Sequence, residues 1–249
     1  MIIDINAWTG HWGTLPIDGD VGSVRASLKG IGVDRICLSP LDAAWRSNPH
    51  LSNIRVYAAA QEFEDIIPVP LLDPTIATWR DELSYALTQP RLSLVKLLPT
   101  YSPYDLSAAD DLFRALAESG LAVIIQTRLE DPRRQHPLAQ VPDVPATGVA
   151  VVAERHTDLT VIIGGPTWTA IRALREKLLA LPNLYADVSQ ADGMDSLKVF
   201  VAEGLRHKLL FGSHAPLFIP TSALARVVSD LSDEDAEAIL GGNAERVLT

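Results

Sequence analysis

Apolar residues fall in short runs along this chain, and between successive runs lie stretches long enough for a helix. The runs cover residues 1–6, 35–39, 66–72, 92–98, 121–126, 159–163, 184–188 and 208–212. Each is too short for a core helix, and most set Val, Ile or Leu on consecutive positions, the pattern of strands buried on both faces. Helical spacing fills the intervals. Residues 23–30 carry Val24 and Leu28 at i, i+4, and residues 108–119 carry Leu112, Phe113 and Leu116 on one stripe before Gly120 stops it. Residues 75–88 start after Asp73-Pro74, and residues 169–181 end before Pro182, whose missing amide hydrogen ends a helical ladder.

Strand and helix therefore alternate, and the strand runs number eight, which predicts an α/β protein with a (β/α)8 TIM barrel spanning residues 1–249 as one domain. A chain of 249 residues with 47% apolar content can bury the core such a barrel needs. An open doubly wound sheet would be expected to place a phosphate-cradling glycine loop after its first strand, and Asn6-Ala7-Trp8-Thr9-Gly10 is not one. The longest irregular stretch, residues 128–145, holds Pro132, Pro137, Pro142 and Pro145 and follows the fifth strand. In a barrel it sits at the catalytic rim, as a cap or substrate loop.

Composition narrows the partners. A formal charge of −10, from 21 basic and 31 acidic residues, argues against nucleic acid, whose recognition relies on Lys and Arg neutralising phosphates. The lone Cys37 lies in an apolar strand run and reads as a buried, reduced residue. No basic leader precedes an apolar core, and no stretch approaches the ~18 apolar residues of a membrane span. A cytoplasmic protein without a membrane partner is expected.

Several segments together resemble a known family. They are Ile3-Asp4-Ile5-Asn6-Ala7-Trp8 and Leu210-Phe211-Gly212-Ser213-His214-Ala215-Pro216, with Gly241-Gly242-Asn243-Ala244-Glu245-Arg246-Val247-Leu248 after them. Val95-Lys96-Leu97-Leu98-Pro99, Gly120-Leu121-Ala122-Val123-Ile124-Ile125-Gln126 and Asp158-Leu159-Thr160-Val161-Ile162-Ile163-Gly164-Gly165 extend the likeness over nearly the whole chain. The chain resembles the amidohydrolase-related (amidohydrolase 2) family as a divergent member, which implies a metal-dependent-hydrolase-like barrel. In that family H-x-H on the first strand, a histidine at the end of the fifth and of the sixth, and an aspartate after the eighth hold a divalent metal that activates water. Carried over, these positions read Asn6 and Trp8, Gln126, Gly165 or its neighbour Gly164, and His214. One strong ligand remains. A catalytic zinc needs about three from His, Cys or carboxylate, so neither a metal nor another cofactor is expected.

His214 is then the candidate acid–base group, with Asp187 at the end of the seventh strand to orient it. Candidate substrate-binding residues are Asn6, Trp8, His11, Lys96, Gln126 and Arg128. Period-two alternation puts Ile2, Asp4, Asn6 and Trp8 on one face of strand one, and Ile124, Gln126 and Arg128 on one face of strand five. Asn6 and Gln126 either hold a ligand or satisfy polar groups in a plugged barrel, where Trp8 fills the space of a metal and its water. Lys96, inside an apolar run, must be paired, with Asp4 or a nearby acid, or with an anionic ligand. Arg128 offers a bidentate grip on a carboxylate. Trp45, Tyr101, Tyr104 and Trp168 are aromatic candidates near strand ends.

The leading functional expectation is a metal-independent hydrolase acting on an ester, lactone or amide bond of a small carboxylic acid. The alternative is a non-catalytic amidohydrolase-fold protein that binds a small molecule or a partner. An ordinary metal-dependent amidohydrolase or decarboxylase comes last. The ligand is a small molecule, anionic where Lys96 or Arg128 faces it, and the resemblance leaves a homodimer open.

Overall fold

The structure, a computed structural model, describes residues 1–249, the side chain of Asp230 excepted. Its strands are β1 Ile3–Thr9, β2 Arg35–Pro40, β3 Ile66–Pro68, β4 Leu94–Leu97, β5 Ala122–Gln126, β6 Val161–Gly164, β7 Leu184–Asp187 and β8 Leu209–Leu210. Each pairs in parallel with the next, from β1 to β3 and from β4 to β8. Backbone hydrogen bonds close both seams. Lys96 N donates to Pro70 O (2.9 Å) and Leu72 N to Lys96 O (3.0 Å), linking the chain after β3 to β4. Ile5 N donates to Phe211 O (2.9 Å) and His214 N to Asn6 O (3.0 Å), linking β1 to the end of β8. The result is the (β/α)8 barrel expected from the alternation of apolar runs and amphipathic stretches.

The outer layer holds α1 Val21–Gly30, α2 Asn53–Glu62, α3 Trp79–Ala86, α4 Asp110–Glu118, α5 Ala146–Arg155, α6 Trp168–Ala173, α7 Arg175–Ala180, α8 Ser196–Ala202 and α9 Pro220–Asp230. Asp20 starts α1 by accepting from Gly22 N, and Thr167 starts α6 by accepting from Ala170 N. The stripe of α4 buries Leu112, Phe113 and Leu116 as its spacing predicts. Two helical stretches differ from expectation. Residues 73–78 stay in turns, because the Asp73 carboxylate accepts from Thr75 N and Oγ1, so the third helix begins only at Trp79. Residues 169–181 divide at Leu174, whose amide is shared between Ala170 O (3.2 Å) and Ile171 O (3.1 Å), a tightened turn that separates α6 from α7.

Three apolar cores result. One lies between sheet and helices; a second, inside the barrel, joins Ile3, Ile5, Cys37, Ile67, Val69, Leu94, Ile124, Ile162 and Leu210; the third gathers Trp8, Trp12, Leu71, Leu98, Leu129 and Leu217. After α10 Asp233–Glu237, the terminal helix α11 Asn243–Leu248 seals the end at which the strands begin, with Ala244 packed into the inner core. Burial there pushes the Cys37 thiol far up, consistent with a reduced packing residue.

One expectation about β1 is corrected. Its pairing with β2 slips between Asp4 and Ala7. Strict alternation is therefore lost: Ile3 and Ile5 join the inner core, Ala7 and Ile2 pack with the outer one, and Asn6 and Trp8 return to the barrel's centre. A bulge re-aims side chains in this way, and it sits directly below the mouth.

Candidate functional site

A buried polar layer lies above the inner apolar core, with Asn6 as its hub. Asn6 Nδ2 donates to Asp187 Oδ2 (2.7 Å) and to Gln126 Oε1 (3.2 Å), and Asn6 Oδ1 accepts from Lys96 Nζ (2.6 Å). The Lys96 ammonium also sits 3.8 Å from the centroid of the Trp8 ring, a cation–π contact that is stronger for being dry. Lys96 is 0% exposed. Burial brings its pKa down to about 7, against the opposing attraction of Asp187.

Asp187 is saturated by neutral donors. Its Oδ2 accepts from Asn6 Nδ2 and from Gly165 N (2.9 Å), and its Oδ1 accepts from Ser189 N (2.8 Å) and Ser189 Oγ (2.5 Å). Asp4 is held comparably, by Ser213 N (3.0 Å), Ser213 Oγ and Asn6 N (3.0 Å). Burial nevertheless raises the Asp4 carboxyl above its ordinary range.

His214 follows β8 with its backbone at φ 57°, in the left-handed region that costs a non-glycine residue strain. Its Nε2 donates to Leu129 O (2.9 Å), and its Nδ1 accepts from the Trp8 indole N–H (3.4 Å). Those two bonds describe a neutral imidazole protonated on Nε2. Burial holds His214 down to about 3, and the charges of Lys96 and Arg128 push the same way, against the bond to Leu129.

The carbonyl groups facing this layer belong to the chain itself. Arg128 O accepts from Gln126 Nε2 (2.7 Å) and Gln190 Nε2 (2.9 Å), and Leu129 O accepts from His214. Gly165, which with its neighbour Gly164 marks where the resemblance would place a metal-binding histidine, makes room for this stretch of loop. A Cβ there would stand 2.6 Å from Gln126 Nε2 and 2.7 Å from Arg128 O, and the backbone is at φ 62°. Gly165→Ala is therefore expected to lower the unfolding free energy by about 2–4 kcal/mol, combining left-handed strain with overpacking. A urea titration showing a loss under ~0.5 kcal/mol, the usual size of a harmless surface change, would contradict this crowding.

The structure brings Asn6, Trp8, Lys96, Gln126, Asp187 and His214 into one network. It does not pair His214 with Asp187: no hydrogen bond joins them, and each is committed to other partners. Lys96 turns to Asn6 rather than forming the expected ion pair with Asp4 or a nearby acid. Arg128 faces the aspartates of its own loop, Asp131 at 3.6 Å and Asp143 at 4.0 Å. His11 lies apart, exposed beside a surface pocket of about 390 Å³ that Asp18, Asp20 and Arg55 also line. Trp12, Trp45 and Tyr101 pack on one another at the rim, with centroids 4.9–6.0 Å apart. Sequence reasoning missed Gln190 and Leu129. Gln190 lies past a strand end, where rim residues are sought, but a backbone carbonyl carries no side-chain signal at all.

These residues do not fit the divalent metal of the resembling family. Asn6 Oδ1 faces an ammonium, Gln126 Oε1 faces Asn6, Trp8 has no lone pair to offer, and both nitrogens of His214 are engaged. Among the described residues, no group of three or more His, Cys, Asp or Glu side chains is placed to hold a metal ion.

The sequence profile of the amidohydrolase family (Amidohydro_2) matches residues 45–249. This chain belongs to the amidohydrolase family. No curated protein sequence matches it significantly. Crystal structures of the same fold include an uncharacterised TIM-barrel protein from Bordetella bronchiseptica, with 17% identity, 99% of this chain and 98% of that one covered, and a TM-score of 0.77. A 2,6-dihydroxybenzoate decarboxylase from Rhizobium matches at 14% identity, 99% and 98% coverage and a TM-score of 0.68. A probable 2-pyrone-4,6-dicarboxylic acid hydrolase from Acinetobacter baumannii, with citric acid bound, matches at 16% identity, 99% and 98% coverage and a TM-score of 0.67. At these identities the likeness to this family member is one of fold.

No described helix is long and apolar enough to cross a membrane.

Proposed function

We propose that this amidohydrolase-fold protein binds a small molecule at the barrel mouth and does not hydrolyse it. The observation that carries this reading is the state of His214. A general base works best with a pKa near the operating pH and a free nitrogen aimed at water. His214 is held near 3, donates through Nε2 to Leu129 O and receives the Trp8 indole at Nδ1. Asp187, the carboxylate that metal-independent hydrolysis would use to orient it, bonds Asn6, Gly165 and Ser189 instead. Lys96 offers no substitute base, since it is enclosed by Asn6 and Trp8.

The same layer is suited to binding. Gln126 Nε2, Gln190 Nε2 and His214 Nε2 present N–H donors to carbonyl oxygens, and such fixed donors orient a ligand without having to react with it. The test is a panel of esters, lactones and anilides of small carboxylic acids, assayed with and without zinc or manganese. Expected are rates equal to those of His214→Ala and no rise in melting temperature with either metal. Turnover that His214→Ala or chelation abolishes would overturn the proposal.

A further inference from the structure

Residues 128–143 form a loop whose ends are tied together where Val144 N donates to Thr127 O (2.8 Å). The outer lobe is also tied to itself. Gln135 Nε2 donates to Val141 O (3.0 Å), Val141 N donates to Gln135 Oε1 (2.8 Å), and Arg128 faces Asp131 and Asp143. Leu138 in that lobe is 91% exposed. The beginning of the loop does the opposite. Leu129 is 1% exposed, packed among Trp8, Leu71, Leu98 and Leu217, and the carbonyls of Arg128 and Leu129 take up the N–H groups of Gln126, Gln190 and His214.

Side-chain donors converging on the mouth are thus satisfied by two consecutive peptide carbonyls. The fit is incomplete. Gln190, 2% exposed, and Glu130, 4% exposed, each bury an Oε1 that has no hydrogen-bond partner, and Arg128 Nε and Trp12 Nε1 are unpaired as well. Buried unpaired groups penalise the closed arrangement, which narrows the gap to one in which the loop has lifted as a unit about Thr127 and Val144.

We propose that residues 128–130 are an internal ligand: they occupy a subsite for a small molecule presenting two carbonyl oxygens one peptide unit apart, and such a molecule enters by displacing the loop. This rests on the binding reading of the same mouth and gives it a ligand class, a peptide-like dicarbonyl such as an N-acyl amino-acid amide. Gln126 and Gln190 would receive one oxygen and His214 the other, as they now receive Arg128 O and Leu129 O.

The test is carbethoxylation of His214 in the full chain by diethyl pyrocarbonate, mapped by mass spectrometry across low urea concentrations. His50, 6% exposed, accepts from Asp73 N and has no hydrogen bond to residues 128–143, and so reports global unfolding. Expected is a His214 rate that is insensitive to urea below the transition, while the His50 rate climbs with it. Leu129→Ala should raise the His214 rate by about tenfold or more through loss of its buried anchor, and Leu138→Ala should leave it unchanged. The tripeptide acetyl-Arg-Leu-Glu-amide should slow the reaction in Leu129→Ala. A His214 rate that only follows His50, or a Leu129→Ala rate equal to wild type, overturns the displaceable loop, and absence of protection by the tripeptide overturns the ligand class. The wild-type measurement decides the first point even where Leu129→Ala fails to fold. Ester turnover by the wild-type protein would sink the binding reading alone and leave these rates to judge the loop separately.

Discussion

Lys96→Met is expected to destabilise the protein by about 1–3 kcal/mol near neutral pH, the cost of leaving the buried Asn6 Oδ1 without its donor, and the deficit should widen as the pH rises. The widening follows from the depressed pKa of the ammonium. In the folded chain Lys96 loses its proton near 7, and in the unfolded chain near 10.5. Between those values the unfolded state carries the extra proton, so wild-type stability rises with pH across that window and is flat below it. Met has no such transition. The wild-type minus variant difference should therefore grow by on the order of 4 kcal/mol between pH 7 and pH 10. Taking the difference also removes the opposite contributions of Tyr57 and Cys37, whose raised values weaken the fold at alkaline pH. Chemical denaturation at four or five pH values would measure it. A constant deficit would mean that Lys96 is not desolvated in the way its contacts with Asn6 and the Trp8 ring require.

The second large effect lies on the acid side. His214 titrates near 3 in the folded protein against an ordinary 6.5. Because the folded value is the lower one, protons bind the unfolded chain preferentially over this range, and stability present above 6.5 is lost as the pH falls towards 3. The loss attributable to this residue amounts to on the order of 4 kcal/mol by the bottom of the window. His214→Asn is the variant of choice, since asparagine tolerates the left-handed backbone at this position. It should be less stable than wild type at pH 7, where it lacks the bond to Leu129 O, yet show a shallower acid limb. Asp4 acts in the other direction, its raised pKa favouring the folded state as acid is added, and it is common to both proteins. Equal acid slopes in the two melts would show that the imidazole is already accessible to protons in the folded state.

The barrel was legible in the sequence because its signal is local. Consecutive Val and Ile in β5 and β6 read as buried on both faces, and the stripe Leu112, Phe113, Leu116 sets the inward side of α4. The bulge in β1 was not legible. Nothing in Ile3-Asp4-Ile5-Asn6 distinguishes a regular pleat from one that slips, since the slip is settled by pairing with β2. The polar layer was half legible. Asn6 and Lys96 stand out as polar groups inside apolar strands, and Gln126, Asp187 and His214 as polar groups at or just past strand ends, and the structure gathers them. Their pairing was not readable, because the decisive partner of His214 is a main-chain carbonyl 85 positions away, and every residue has one of those. Gly165 is a more instructive case. With its neighbour Gly164 it reads as the place where the resembling family carries a ligand, and in the fold it is also the space through which Arg128 O approaches Gln126 and Gln190.

That crowded glycine fixes an order of events for anyone installing a metal site in this barrel. An imidazole introduced at position 165 would collide with the incoming peptide before it could meet an ion. The strap after β5 must be shortened or re-routed first, and histidines added only afterwards. The first step is a deletion, so single replacements at Asn6, Trp8, Gln126 or Gly165 should fail one by one even where the complete set would succeed.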